Sequence, residues 1–187
     1  MKFYNLKEND EQVSFAGAVK QGLGKNQGLF FPTELPKFSE SEIAQLLAMP
    51  LVERSVKILH PFVAEDLSAK ELTNIVTDAF NFPALLQPIS SDRAVLELFH
   101  GPTLAFKDFG GRFMAKCLQA FCKKEAATTG VEKKLTILTA TSGDTGAAVA
   151  HAFHGIDNIR VVIMYPQGNI SLLQEKMFTT LGGNIET

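Results

Sequence analysis

Leu135-Thr136-Ile137-Leu138-Thr139-Ala140-Thr141-Ser142-Gly143-Asp144-Thr145-Gly146-Ala147-Ala148-Val149-Ala150-His151-Ala152-Phe153 is the stretch that decides the fold. Leu135–Thr139 is a short run rich in β-formers. A turn of small residues follows, and 147–153 then reads as a helix. Strand, tight turn and helix in this order is the unit from which parallel sheets are built. Working outward, the same alternation recurs. Upstream, 94–98 reads as a strand, and 112–124 as a helix with Phe113, Met114, Cys117, Leu118 and Phe121 on one face. Downstream, 161–165 is a continuous apolar run of the kind buried on both faces. Residues 171–181 then read as a helix stopped by Gly182-Gly183. The pattern predicts an α/β region over 91–187, a parallel sheet with flanking helices.

Residues 1–90 read differently, as strand and loop followed by helices, a mostly helical region overall. Gly22-Leu23-Gly24-Lys25-Asn26-Gln27-Gly28 is a loop. Ser39 with Glu42, and Ser68 with Glu71, have capping-box spacing, in which the serine oxygen accepts from a free N–H and the glutamate reaches back. The first box opens a helix with Ile43, Leu46 and Leu47 on its apolar face. A second helix carries Val52, Val56 and Leu59 inward and is expected to stop before Pro61. Leu72, Ile75, Val76, Ala79 and Phe80 line the third. Two prolines and a polar cluster in 83–92 place a domain boundary there. Residues 184–187 read as the start of a further strand, so the sequence is expected to stop in mid-fold.

The chain has 187 residues, 45% of them hydrophobic, enough for a buried core. A formal charge of −2 offers no basic field for nucleic acid. The N-terminus lacks an apolar core of signal-peptide length, and no apolar run approaches a membrane span. A cytoplasmic protein without membrane or nucleic-acid partners is expected. Cys117 and Cys122 are too few and wrongly spaced for a zinc site, and His151 and His154 lack a third ligand, so no metal is expected.

Two segments carry chemistry. In His100-Gly101-Pro102-Thr103-Leu104-Ala105-Phe106-Lys107-Asp108-Phe109-Gly110-Gly111-Arg112, the lysine follows a mostly apolar run between a predicted strand and a predicted helix. Desolvation between Phe106 and Phe109 would lower its pKa, and a neutral amine can attack an aldehyde to form a Schiff base. The competing reading is an ordinary surface lysine at a helix start, with Asp108 as its charge partner or as a helix-terminus acid. In Ser142-Gly143-Asp144-Thr145-Gly146, the glycines allow close backbone approach. The free N–H groups of the helix's first turn offer an anion site there, and Ser142 and Thr145 add hydroxyls. The competing reading makes Ser142 or Asp144 a plain N-cap. The turn is neither a P-loop nor a nucleophile elbow, because no Gly-Lys-Ser/Thr follows and Ala140 stands where the elbow's first glycine belongs.

Taken together, HGPTLAFKDFGGRFMA and TATSGDTGAAVAHAF resemble the lysine motif and active-site turn of the threonine synthase family. SFAGAVKQGLGKNQGLFFP, VVIMYP and SLLQEKMFTTLGGNIET fit the same family, so that five ordered blocks span essentially the whole chain. Asp144 in the turn favours this family over related dehydratases and sulfhydrylases, where asparagine is common. The resemblance implies a fold-type-II enzyme, tryptophan synthase β-like, using pyridoxal 5'-phosphate (PLP). It implies a carbon–oxygen lyase that converts O-phospho-L-homoserine and water to L-threonine and phosphate. Lys107 would hold the cofactor and act in catalysis. Asp144 would contact the cofactor ring, and Ser142, Gly143, Thr145 and Gly146 would receive the substrate carboxylate. The cofactor's phosphate loop and the partner of its pyridine nitrogen are expected beyond residue 187, so an isolated 187-residue fragment is expected to be inactive. A dehydratase of the same fold and a non-catalytic phosphometabolite-binding protein are the rival readings.

Overall fold

In the computed structural model, which describes residues 1–187, the chain folds as two units, Met1–Asp78 and Ala79–Thr187. The first unit opens with a three-stranded antiparallel sheet in the order β2-β1-β3, made by β1 (Phe3–Asn5), β2 (Glu8–Val13) and β3 (Phe30–Pro32). These strands are three to six residues long, too short for alternation to stand out in the sequence. Helices α1 (Phe15–Gln21), α2 (Glu40–Ala48), α3 (Leu51–Val63) and α4 (Ala69–Ala79) complete the helical part. Both capping boxes form. The Ser39 N–H donates to Glu42 Oε2 at 2.7 Å and the Ser68 N–H to Glu71 Oε2 at 2.8 Å, with the return bonds at 3.4 and 3.3 Å.

Two expectations for this unit are corrected. Helix α3 does not stop before Pro61 but runs to Val63. Only the proline's own donor is lost, and the next turn still closes through Ala64 N–H to His60 O at 3.0 Å. On α2 only Leu46 is buried, while Ile43 and Leu47 remain exposed.

In the second unit, β4 (Leu85–Pro88) and β5 (Ala94–Glu97) form an antiparallel hairpin. Thus 94–97 is a strand, as its composition predicts, but not one of the parallel sheet. The parallel sheet is β6-β7-β8, from β6 (Leu135–Ala140), β7 (Ile159–Met164) and β8 (Ile185–Glu186), in register from Leu135↔Ile159 to Ala140↔Met164. Helices α5 (Lys107–Thr129), α6 (Asp144–Phe153) and α7 (Leu172–Thr179) alternate with its strands. Phe153, Phe178 and Leu118 are fully buried. Each such side chain contributes roughly 1.5–3 kcal/mol.

Strand β7 is not buried on both faces. Ile159, Val161 and Ile163 point into the core, while Arg160 and Met164 are exposed. The largest difference concerns α5, which begins at Lys107 rather than Arg112. Gly110-Gly111 hides that start in the sequence, since each glycine costs roughly 1 kcal/mol inside a helix. Packing compensates. The direction in which Gly111 would carry a Cβ points to Ala148 O and the Ala152 Cβ, each 3.6 Å away, so α5 and α6 meet there. No helix is long and apolar enough to cross a membrane.

Candidate active site

Lys107 is the first residue of α5, and the N-cap residue before it, Phe106, supplies no side-chain acceptor. Order comes from Asp108 instead. Its carboxylate, only 1% exposed, accepts from Thr103 N–H at 2.8 Å and from the Thr103 hydroxyl at 2.6 Å. Asp108 therefore clasps the preceding loop and makes no ion pair with Lys107. A carboxylate in the first turn also suits the helix dipole. The clasp requires glycine at 101, because a Cβ there would fall 2.4 Å from Asp108 Oδ2. It also holds Leu104 at a φ of 60°, a conformation uncommon for a branched side chain, in a turn closed by Leu104 N–H to Gly101 O at 3.1 Å.

The lysine on this loop is half-buried, and its Nζ lies 4.5 Å from the centroid of the Phe106 ring. Phe106 itself is 61% exposed. Phe109 turns away, its ring centroid 4.6 Å from that of Phe82 and 5.5 Å from that of Phe80. The enclosure of the amine by two phenylalanines is thus partial. No carboxylate neutralises it.

The second segment is ordered by a residue outside the predicted set. Thr141 follows β6, and its backbone N–H donates to Met164 O at 2.9 Å. Its Oγ1 accepts from Gly143 N–H at 3.0 Å and from Gly146 N–H at 2.9 Å. Neither Ser142 nor Asp144 is the N-cap. That position falls on Gly143, whose φ of 145° only glycine adopts readily, and which has no side chain to cap with. One of the helix's first three N–H groups is thereby satisfied. Those of Asp144 and Thr145 have no acceptor within the chain, beside the exposed Ser142 and the half-buried Thr145. The exposed Asp144 accepts from Gln174 Nε2 at 2.9 Å. Gln174, on α7, is the second residue that sequence reasoning misses.

The helix crossing brings the two segments together. Gly111 is the fifth residue of α5 and Ala148 the fifth of α6. Both helices thus begin about 6 Å along their axes from the contact. No hydrogen bond or ion pair links Lys107 to the 141–146 turn. Fold and site define an α/β chain in which two helices open beside one crossing, one with an uncommitted amine and the other with free N–H groups.

A family model described as "Threonine synthase N terminus" matches residues 2–80. Threonine synthase of Escherichia coli (strain K12) is 60% identical over all 187 residues, which cover 42% of that protein. The crystal structure of threonine synthase from Escherichia coli superposes with a TM-score of 0.90, at 60% identity, over 100% of this chain and 42% of that one. The structure of PLP-bound threonine synthase from Brucella melitensis gives a TM-score of 0.85 at 33% identity, over 95% of this chain and 38% of that one. Over its length this chain is similar to the N-terminal portion of threonine synthases. It spans about two-fifths of the length of the curated relatives it matches.

Proposed function

We propose that this chain carries the cofactor lysine and the carboxylate-binding turn of a PLP-dependent threonine synthase. The reaction converts O-phospho-L-homoserine and water to L-threonine and phosphate, the last step of threonine biosynthesis. The observation that carries this reading is Lys107, a primary amine at the head of α5, on a clasped loop and with no carboxylate partner. An uncommitted amine fits a cofactor that bears an aldehyde.

When bound, PLP supplies that aldehyde and an electron-withdrawing ring that eases proton removal beside the substrate amine. Lys107 would hold it through Nζ. The same Nζ would move protons at the substrate's α and β carbons. The N–H groups of Asp144 and Thr145, with the hydroxyls of Ser142 and Thr145, would bind the substrate carboxylate through charge-assisted hydrogen bonds. Gly143 and Gly146, whose N–H groups are held by Thr141 Oγ1, would shape the turn that receives that group. Asp144 Oδ2, the oxygen that Gln174 leaves unused, would face the cofactor's ring hydroxyl. Phosphate leaves from the γ carbon and water adds at the β carbon, so the products balance the reactants. We place the reaction in the cytoplasm, with a small molecule as the binding partner.

Incubation of the chain, extended to the full length of its relatives, with PLP followed by borohydride reduction is the test. Added mass is expected on the peptide that contains Lys107, and none in Lys107→Ala. Phosphate release from O-phosphohomoserine marks the synthase, whereas ammonia release from threonine would mark a dehydratase. Label spread over surface lysines and unchanged in Lys107→Ala would overturn the assignment.

A further inference from the structure

We infer that Gln174 is a positioning residue of the 141–146 turn, matched to Asp144, whose carboxylate it orients while filling the space in front of Gly143. The pair owes its place in the reaction to the carboxylate-binding reading of the turn. Its existence stands on geometry alone.

Gln174 lies thirty positions beyond Asp144, on a different helix, and donates from Nε2 to Asp144 Oδ1 at 2.9 Å. Its carboxamide also occupies the direction in which residue 143 would carry a side chain. A Cβ there would fall 2.6 Å from both Cδ and Nε2 and 2.9 Å from Oε1. Glycine at 143 is therefore required by its φ of 145°, and a side chain there would also displace the amide from Asp144.

The orientation of the amide follows from its partners. A carboxylate only accepts, so the NH₂ end must face Asp144. The oxygen end then takes the Ser171 hydroxyl at 3.0 Å, and Ser171 Oγ in turn accepts from Gln174 N–H at 3.2 Å. Flipping the amide would set its oxygen against the Asp144 carboxylate and lose that bond. Ser171, the N-cap of α7, thus sets Gln174, which sets Asp144, which opens α6. One carboxylate oxygen of Asp144 is held by protein, and the other faces outward for a ligand.

The pair is also chemically selective. Glutamate at 174 would set two carboxylates against each other, and like charges at that distance cannot both ionise without cost. Asparagine at 144 facing glutamate at 174 would restore a donor–acceptor pair in the opposite sense. The other ionisable groups of α6 and α7 are engaged elsewhere or exposed. His151 bonds to Met177 O at 3.0 Å, Glu175 accepts from the Tyr165 hydroxyl at 3.0 Å, and Lys176 faces solvent.

Hydrogen exchange of the Gly143 and Gly146 N–H groups, both bonded to Thr141 Oγ1, reads the shape of the turn without substrate or cofactor. In the 187-residue chain, Gln174→Glu is expected to speed their exchange about tenfold at neutral pH relative to the unmodified chain, the equivalent of roughly one pKa unit of repulsion. Lowering the pH through the carboxylate range should remove the difference, because one protonated carboxyl can then donate to the other. Combining Gln174→Glu with Asp144→Asn should remove it at neutral pH as well. Exchange in Gln174→Glu equal to that of the unmodified chain at every pH, or acceleration that Asp144→Asn leaves in place, would overturn the inference. Failure of cofactor capture at Lys107 with the 144–174 coupling intact would sink the proposed function and leave the pair standing. A lost coupling with Lys107 still captured would do the reverse.

Discussion

The loop before α5 and the turn before α6 solve one problem in opposite ways. Each opens a helix beside a group proposed for chemistry, and neither uses a side chain at its N-cap. Before α5, the first-turn acid Asp108 reaches backward to Thr103 and is buried in doing so. Before α6, the acid Asp144 stays exposed, and it is Thr141, behind the turn, that reaches forward to Gly143 and Gly146. The first arrangement consumes its carboxylate to fix a loop and leaves an amine free. The second consumes a hydroxyl and leaves two N–H groups and one carboxylate oxygen free. Which polar groups each segment uses for its own order determines what remains for a ligand.

The sharpest way to break this contrast is Asp108→Ala. It removes two charge-assisted hydrogen bonds from a buried site and strands the Thr103 donors, for an expected loss of about 3 kcal/mol in denaturant unfolding of the second unit. A loss below about 1 kcal/mol would mean that the clasp does not order the loop. Thr141→Val keeps the shape and deletes only the hydroxyl, so the same measurement should show about 1–2 kcal/mol. If Thr141→Val proved neutral, the order of the turn would have to come from Gln174 alone.

Lys107→Ala should go the other way. A cation at the positive end of a helix dipole, without a partner, costs roughly 0.3–1 kcal/mol. Its removal should stabilise the chain by about that much while abolishing covalent capture of PLP. Destabilisation by Lys107→Ala would show that its contact with the Phe106 ring, worth roughly 0.5–1 kcal/mol at an exposed site, outweighs the dipole.

Legibility in the sequence followed the range of the interactions. The boxes at Ser39–Glu42 and Ser68–Glu71 close over three residues, and their spacing shows them directly. The β6–α6–β7 alternation was equally plain, because each element carries its own periodicity. The pairing of β4 with β5 was hidden, since composition marks a strand but not its partner. The start of α5 was masked by Gly110-Gly111, which helix propensity penalises and only the packing near Ala148 explains. At the site, Lys107 stood out through the resemblance of its motif, while local chemistry alone favoured an ordinary surface lysine. Thr141 had a usable signal, a hydroxyl two residues before a glycine N–H, the geometry of a short side-chain turn. Gln174 had none, because nothing in sequence links positions thirty apart on separate helices.

The smallest expected effect bears most directly on the contrast. Ser142 sits between Thr141 and Gly143, is exposed, and makes no hydrogen bond within the chain. If Thr141 does the ordering, Ser142→Ala should change stability by less than about 0.5 kcal/mol, as for a surface site without partners. A change matching that of Thr141→Val would instead make Ser142 the helix cap. It would then compete for the N–H groups of Asp144 and Thr145, and the turn could no longer receive an anion without first losing its own order. A silent Ser142→Ala in unfolding, joined to weaker carboxylate binding, would show that adjacent hydroxyls divide the work between fold and ligand.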